Sequence, residues 1–242
     1  MLLDRSGDQL RGAARWAHPQ RGPIGPASFI RIAEDSGLIG SLGESVLRQA
    51  CRAAADWPDT LKVAVNLSPL QFDSGRLVDT VRAALAFAGL PPHRLQLEVT
   101  ESLLIRDVER TFGILTELRS IGVQILLDDF GVGFSSLSYF ERFPFDKVKI
   151  DQSFVRKMAT EPAARAIIQA VVGMGRTLDM GIIAEGVENV EQMQALVEIG
   201  CTHLQGYLFS EPRPEHAFAH IMRAGHMVPD NTIDPGPASL SA

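Results

Sequence analysis

Asn66, Glu98, Asp128 with Asp129, Lys149 with Asp151, Glu185 and Gln205 are polar groups set at or near the ends of short apolar runs in this 242-residue chain. An amide and several carboxylates, with no Cys or His cluster among them, form a hard oxygen donor set that suits Mg²⁺ or Mn²⁺ rather than zinc. The adjacent pair Asp128-Asp129 repels itself unless a cation lies between the two groups. Two bridged cations can activate a water and stabilise a phosphoryl transition state. A chain with a formal charge of −6 needs metal ions, or a few placed basic groups, to hold a phosphate diester. Lys149 and Arg15 are the placed cations. The competing reading is that each carboxylate caps the helix after it, since Asp is a favoured N-cap. Six successive runs ending this way argue instead for a shared rim.

The runs that must position these groups are Leu61 to Leu67, Leu95 to Val99, Val123 to Asp129, Lys147 to Asp151, Gly181 to Val187 and His203 to Phe209, with another around Leu10 to Trp16. They are rich in Val, Ile and Leu and alternate with longer amphipathic stretches, the signal of repeated βα units around a parallel sheet. Helices are expected near Pro26 to Leu38, Leu42 to Trp57, Arg76 to Ala88, Val108 to Ile121, Pro162 to Met180, Val190 to Ile199 and Pro214 to Ala224. Gly89, Gly122, Gly181 and Gly200 follow helical segments, where a residue able to take positive φ best ends a helix. The rhythm predicts an α/β fold of the TIM-like (β/α)8 barrel type. In such a barrel the C-terminal ends of the strands converge on one rim, where sites are built.

At 45% hydrophobic content the chain can bury a full core as one domain, placed at residues 1–227, with a Pro-, Ser- and Gly-bearing flexible tail at 228–242. The 23 Lys and Arg against 29 Asp and Glu include no basic block, so polymeric nucleic acid is not an expected partner. Cys51 and Cys201 lie far apart without metal-ligand spacing and read as reduced structural cysteines of a cytoplasmic domain. Apolar runs such as Ala83 to Leu90 are far shorter than the roughly 18 residues of a membrane span, and no export signal is recognisable.

The chain resembles the EAL domain family in seven blocks that occur in family order. These are Arg15 to Ile39 (RWAHPQRGPIGPASFIRIAEDSGLI), Ala64 to Phe72 (AVNLSPLQF), Leu97 to Ser102 (LEVTES), Leu126 to Tyr139 (LLDDFGVGFSSLSY), Phe145 to Val155 (FDKVKIDQSFV), Ile182 to Glu188 (IIAEGVE) and His203 to Pro212 (HLQGYLFSEP). The resemblance implies hydrolysis of cyclic di-GMP to pGpG with two Mg²⁺ or Mn²⁺ ions. It implies Asn66, Glu98, Asp128, Asp129, Asp151 and Glu185 as metal ligands, Lys149 as the group that helps position the catalytic water, and Gln205 as a neighbour in the same pocket. By the same likeness, Arg15 contacts the dinucleotide phosphate and Glu188 matches the second glutamate of the EGVE element. Glu101 steadies the loop Phe130 to Tyr139, with Gly131 and Gly133 in it, and that loop couples metal binding to a homodimer. For Glu101 and Glu188, a solvated carboxylate at a helix start is the equal alternative.

The departures bear on catalysis. Where the family reads like GAEALLRW, with its Glu a metal ligand, this chain reads LRGAARW from Leu10 to Trp16. One alignment cuts Glu-Ala-Leu out between Ala13 and Ala14, which would displace Ala13 and Arg15. A gapless one puts Arg11 at the glutamate position, where a guanidinium could take the cation's place. Met1 to Asp4 resembles the end of a truncated first strand, which suggests a domain from a longer protein with sensory or GGDEF domains upstream, one that could be membrane-tethered as a whole. Val132 and Phe134 replace a usual Thr and Tyr in the loop. The resulting expectation is a degenerate domain that binds cyclic di-GMP as a receptor or effector with absent or strongly reduced hydrolysis. An active Mg²⁺- or Mn²⁺-dependent phosphodiesterase and a nucleotide-free interaction scaffold are the alternatives.

Overall fold

The computed structural model describes residues 2–6, 9–132, 138–211 and 213–214. The chain opens with β1 (Leu2–Ser6) and β2 (Gln9–Ala13), a hairpin of β3 (Trp16–His18) and β4 (Gly22–Ile24), and the helices α1 (Pro26–Asp35) and α2 (Ile39–Ala55). Next come β5 (Lys62–Asn66), α3 (Pro69–Asp73), α4 (Leu77–Ala88), a 3₁₀ turn at Pro92–Arg94, β6 (Leu95–Thr100), α5 (Glu101–Arg106) and α6 (Val108–Ser120). The second half holds β7 (Gln124–Phe130), α7 (Ser138–Arg142), β8 (Lys147–Ile150), α8 (Gln152–Lys157), α9 (Pro162–Thr177), β9 (Gly181–Ala184), α10 (Val190–Ile199), β10 (His203–Leu204) and β11 (Arg213–Pro214).

All of these strands except β3 and β4, which pair only with each other, form one curled sheet in the order β10-β9-β8-β7-β6-β5-β2-β1-β11. From β2 to β10 every pairing is parallel, whereas β1 runs antiparallel to both β2 and β11. The architecture is the expected TIM-like barrel with its helices between successive parallel strands. Val63, Leu95, Leu97, Ile125, Val148 and Ile183 are sealed from solvent in the sheet, and α2 turns Leu47, Ala50, Cys51 and Ala54 inward against it. At the opposite end from the rim, Arg94 is buried. Its guanidinium donates to the carbonyls of Leu61 (2.9 Å), Ala54 (2.8 Å), Trp57 (3.2 Å) and Pro58 (3.1 Å), so the end of α2 is tied to the start of β6. Such a buried charge is tolerated because its donors are satisfied.

Several expectations change. The strand placed at Leu10 to Trp16 ends at Ala13, and Trp16 instead starts a separate hairpin whose turn is left through Gly22 at φ +70°. The helices expected to run to Leu38, Trp57 and Met180 stop at Asp35, Ala55 and Thr177. For α9 the physical reason is Asp179, which takes a left-handed φ of +55° ahead of β9. Gly181 is not a helix cap: it begins β9, where a Cβ would lie 2.9 Å from Lys147 Cγ, so close packing against β8 is what favours glycine there. Pro214, expected to open a helix, lies in β11, and the rest of that helix and the tail at 228–242 fall outside the described residues. Among the described residues no helix is long and apolar enough to cross a membrane.

Candidate functional site

The parallel register sets the rim. Asn66 pairs with Glu98 across β5 and β6, Thr100 pairs with Asp128 across β6 and β7, and the backbone N–H of Glu185 reaches Ile150 O at 3.1 Å just beyond β8 and β9. Gln205 joins the same end by donating from its backbone N–H to Ala184 O at 2.9 Å and accepting from Val187 N at 3.0 Å. The strand-end groups therefore gather at one mouth, as the pattern predicted.

Lys149 is fully buried at the centre of the cluster. Its Nζ lies 3.2 Å from Glu98 Oε1, 2.9 Å from Asp128 Oδ1 and 2.5 Å from Glu185 Oε1. Burial alone would push this ammonium toward its neutral form and the nearby Arg11 would add to that, yet the three carboxylates win and hold the lysine above its usual range. It is a cation locked by its partners.

Arg11 is the second cation, projecting inward from the middle of β2. Its Nε lies 2.9 Å from Glu98 Oε2, its Nη2 donates to Asp128 Oδ2 at 3.2 Å, and its Nη1 stands 3.8 Å from Glu185 Oε1. One guanidinium thus bridges the carboxylates of β6 and β7, with different N–H donors facing each. Leu10 beside it is buried, and the β2 register places Arg11 against Ala64. The side chain faces the site as the gapless reading of LRGAARW requires. Arg15, by contrast, is exposed in the two-residue link before β3, where its Nη1 donates to Ala14 O at 3.0 Å.

The acids respond unequally. Burial pushes Asp128 upward, but Lys149, Arg11 and the Asp129 N–H, which donates at 3.1 Å, overcome it and leave this carboxyl below its ordinary range. Glu185 stays above its range because burial, with repulsion from Asp128, outweighs its two cations. Burial and the charges of Asp128 and Asp151 raise Asp129 as well. Asp129 also takes φ +55°, a left-handed conformation uncommon for a non-glycine residue, at an irregularity in the pairing of β7 with β8 between Leu127 and Phe130. That kink turns Asp129 out toward solvent while Asp128 and Phe130 stay buried.

Other sequence-picked residues take different places. Asp151 accepts from Ser153 N at 2.9 Å and N-caps α8, the capping alternative that the sequence had left open. Glu101 begins α5 but is buried, so a solvated helix-start carboxylate is not what it is. Glu188 is exposed and pairs with Arg156 Nη2 at 3.1 Å, apart from the Lys149 contacts. Phe130 packs edge-on against Phe140 in a cluster with Phe143 and Phe145 beneath the rim, and Gly131 takes φ +96° where a Cβ would meet Phe154 at 2.8 Å. Gly133 lies outside the described residues.

Two cavities flank Arg11. One of about 450 Å³ is lined by Arg11, Arg15, Phe29, Leu42, Asn66 and Glu98, among others, and presents mainly apolar wall from α1 and α2. The other, about 180 Å³, is lined by Arg11, Arg156, Glu185, Glu188, Gln205 and Tyr207. A larger groove of about 760 Å³, lined by residues of α2 with Phe87 of α4, shares no lining residue with either. Sequence reasoning missed the α1–α2 wall, because Phe29 and Leu42 read there only as helix residues.

Whether the cluster fits divalent metal is a question of charge as well as donor type. Asp128, Asp129 and Glu185 can bring oxygens within 4.8 Å of one another, a hard donor set. Glu98 Oε2 and Asp128 Oδ2, however, already face Arg11, and an ion placed between those two oxygens would have to displace the guanidinium. With Arg11 in this place the cluster does not fit an ion held between Glu98 and Asp128, which a two-ion arrangement using both would need.

The EAL domain model matches residues 8–212 of the chain. Among curated relatives, the bifunctional diguanylate cyclase/cyclic di-GMP phosphodiesterase MucR of Pseudomonas aeruginosa is 47% identical over 204 residues, covering 83% of this chain and 30% of that protein. The cyclic di-GMP phosphodiesterase NbdA of the same species is 41% identical over 227 residues, covering 92% and 29%. The solved PaMucR phosphodiesterase in complex with c-di-GMP superposes with a TM-score of 0.86 at 42% identity, over 90% of this chain and 92% of that one. The chain spans about a quarter to a third of the length of the curated relatives it matches.

Proposed function

The chain belongs to the EAL domain family, and we propose that it binds cyclic di-GMP as a receptor or effector module with absent or strongly reduced hydrolysis. The observation that carries the second half of this reading is Arg11 bridging Glu98 and Asp128 at 2.9 and 3.2 Å. Those acids are turned toward fixed cations, and Asp128, held below its range, is a weak base for drawing a proton from water. Losing transition-state charge stabilisation of about 3 kcal/mol slows a reaction on the order of 10²-fold.

Binding rests on other groups. The apolar wall around Phe29 and Leu42 offers a face for a purine base, and Arg15 at the mouth of the same cavity offers a guanidinium to a phosphodiester. Gln205, Glu188 and Tyr207 border the opposite cavity and supply polar edges for the second half of a two-fold dinucleotide. A ligand spanning both cavities passes Arg11, which adds positive charge beside the phosphates. Mg²⁺ or Mn²⁺ in the family's two-ion arrangement would need Asn66, Glu98, Asp128, Asp129, Asp151 and Glu185 free to ligate, and Arg11 opposes this. Homodimerisation through the loop after β7 and signalling domains upstream in a longer, cytoplasm-facing protein complete the proposal.

Calorimetric titration with cyclic di-GMP, followed by chromatography of the mixture after incubation with Mn²⁺, tests it. Saturable binding without pGpG is the expected result. Steady pGpG production would overturn the receptor reading in favour of a working phosphodiesterase, and titrations without heat in Mg²⁺, Mn²⁺ and Ca²⁺ alike would favour a scaffold.

A further inference from the structure

We infer that Arg11 is a built-in replacement for a divalent ion, so that the rim is closed to Mn²⁺ and Mg²⁺ in the native chain and becomes a metal site when this one side chain is cut back. The guanidinium presents Nε to Glu98 and Nη2 to Asp128, and Nη1 faces Glu185 at 3.8 Å. Three carboxylates from three different strand ends therefore meet around a single planar cation, the role that an oxygen-coordinated ion plays in an acidic pocket. Lys149 contacts the same three acids from within the barrel. Two fixed positive charges thus offset most of the charge on these three acids, the ones that an ion in their midst would use. Arg11 is also part of the wall of both flanking cavities, so it stands between them. A guanidinium cannot be deprotonated in this setting and cannot exchange with solvent ions, so its charge persists in chelator and at any working pH.

This deepens the receptor reading, because it makes ligand capture independent of divalent metal, and its first test contains no nucleotide. Mn²⁺ is titrated into the wild-type domain and into Arg11→Ala, following free Mn²⁺ by electron paramagnetic resonance. The wild type is expected to show no saturable site below millimolar Mn²⁺, and Arg11→Ala is expected to gain one with affinity improved at least tenfold, while Arg11→Lys stays near the wild type. Saturable micromolar Mn²⁺ binding by the wild type overturns the inference, as does a folded Arg11→Ala that gains nothing. Should Arg11→Ala fail to fold, the wild type still decides: its affinity for cyclic di-GMP in EDTA and in millimolar Mn²⁺ is expected to agree within about twofold, and a tenfold rise with Mn²⁺ contradicts metal independence. A failure to bind the nucleotide in either buffer sinks the receptor reading alone and leaves the Mn²⁺ result standing.

Discussion

Arg11 Nε lies 2.9 Å from Glu98 Oε2, joining β2 to β6 across the intervening β5 at the centre of the rim. The contact ties the amino-terminal edge of the parallel strands to the carboxylate cluster. Removing the side chain leaves Glu98 buried with less compensation and also takes away the Nη2 hydrogen bond to Asp128 Oδ2, and hydrogen bonds to charged groups are each worth about 1.5–3 kcal/mol. Arg11→Ala is therefore expected to lose about that much in urea unfolding at low divalent concentration, with Arg11→Lys recovering part. Unchanged stability in the alanine variant would show that the bridge is not held in solution.

Lys149 carries a larger stake because it is fully buried against three acids. Lys149→Met strands those acids, and breaking a buried pair from one side costs about 3–5 kcal/mol. The sign of its pH dependence is fixed by its raised pKa: the stabilisation is fully present below the unfolded value of about 10.4 and is lost as pH rises through the higher folded value. Unfolding free energies measured from pH 8 to 11 should fall more steeply above about 10.4 in the wild type than in Lys149→Met. Parallel curves would contradict the assignment.

Arg15 separates binding from folding. It is exposed, its described hydrogen bond goes to the neighbouring Ala14 carbonyl, and it borders the larger flanking cavity. Arg15→Ala is expected to change stability by no more than about 0.5 kcal/mol while lowering affinity for cyclic di-GMP about tenfold or more, the loss of one charge-assisted contact. Unchanged affinity by calorimetry removes Arg15 from the ligand's contacts.

Gly206 follows Gln205 where the backbone runs against Val187, and a Cβ there would lie 2.2 Å from Val187 O and 2.3 Å from Val187 N. Backbone cannot retreat as a flexible side chain can. Gly206→Ala is expected to destabilise by about 1–3 kcal/mol through overpacking and to disturb the Val187 N to Gln205 O bond of 3.0 Å. Equal urea midpoints for variant and wild type would refute that.

Much of the rim was legible because parallel strands impose one direction on every run: a polar group at each C-terminal end must share a mouth with the others. Glu98, Asp128, Lys149, Glu185 and Gln205 followed that rule. Asp151 did not stand apart from its neighbours in sequence, yet the first turn of α8 takes its carboxylate as a cap. The outward turn of Asp129 depends on an irregularity in the β7–β8 pairing, which leaves no mark in a run reading VQILLDD. Trp16 to Ile24 lacks the alternation of a hairpin, so its two short strands were absorbed into a strand and a loop. For Arg11 the sequence left two registers open, and it is the packing of β2 against β5 that turns its side chain to the inward face.

A crystal structure of the domain grown with cyclic di-GMP and Mn²⁺, with anomalous scattering collected for manganese, tests the central claim most directly. Nucleotide density is expected along the cavities beside Arg15 and Gln205, with the Arg11 guanidinium still bridging Glu98 and Asp128 and no manganese peak between them. A manganese peak between Glu98 and Asp128 with Arg11 swung away, or pGpG in place of the cyclic dinucleotide, would contradict it.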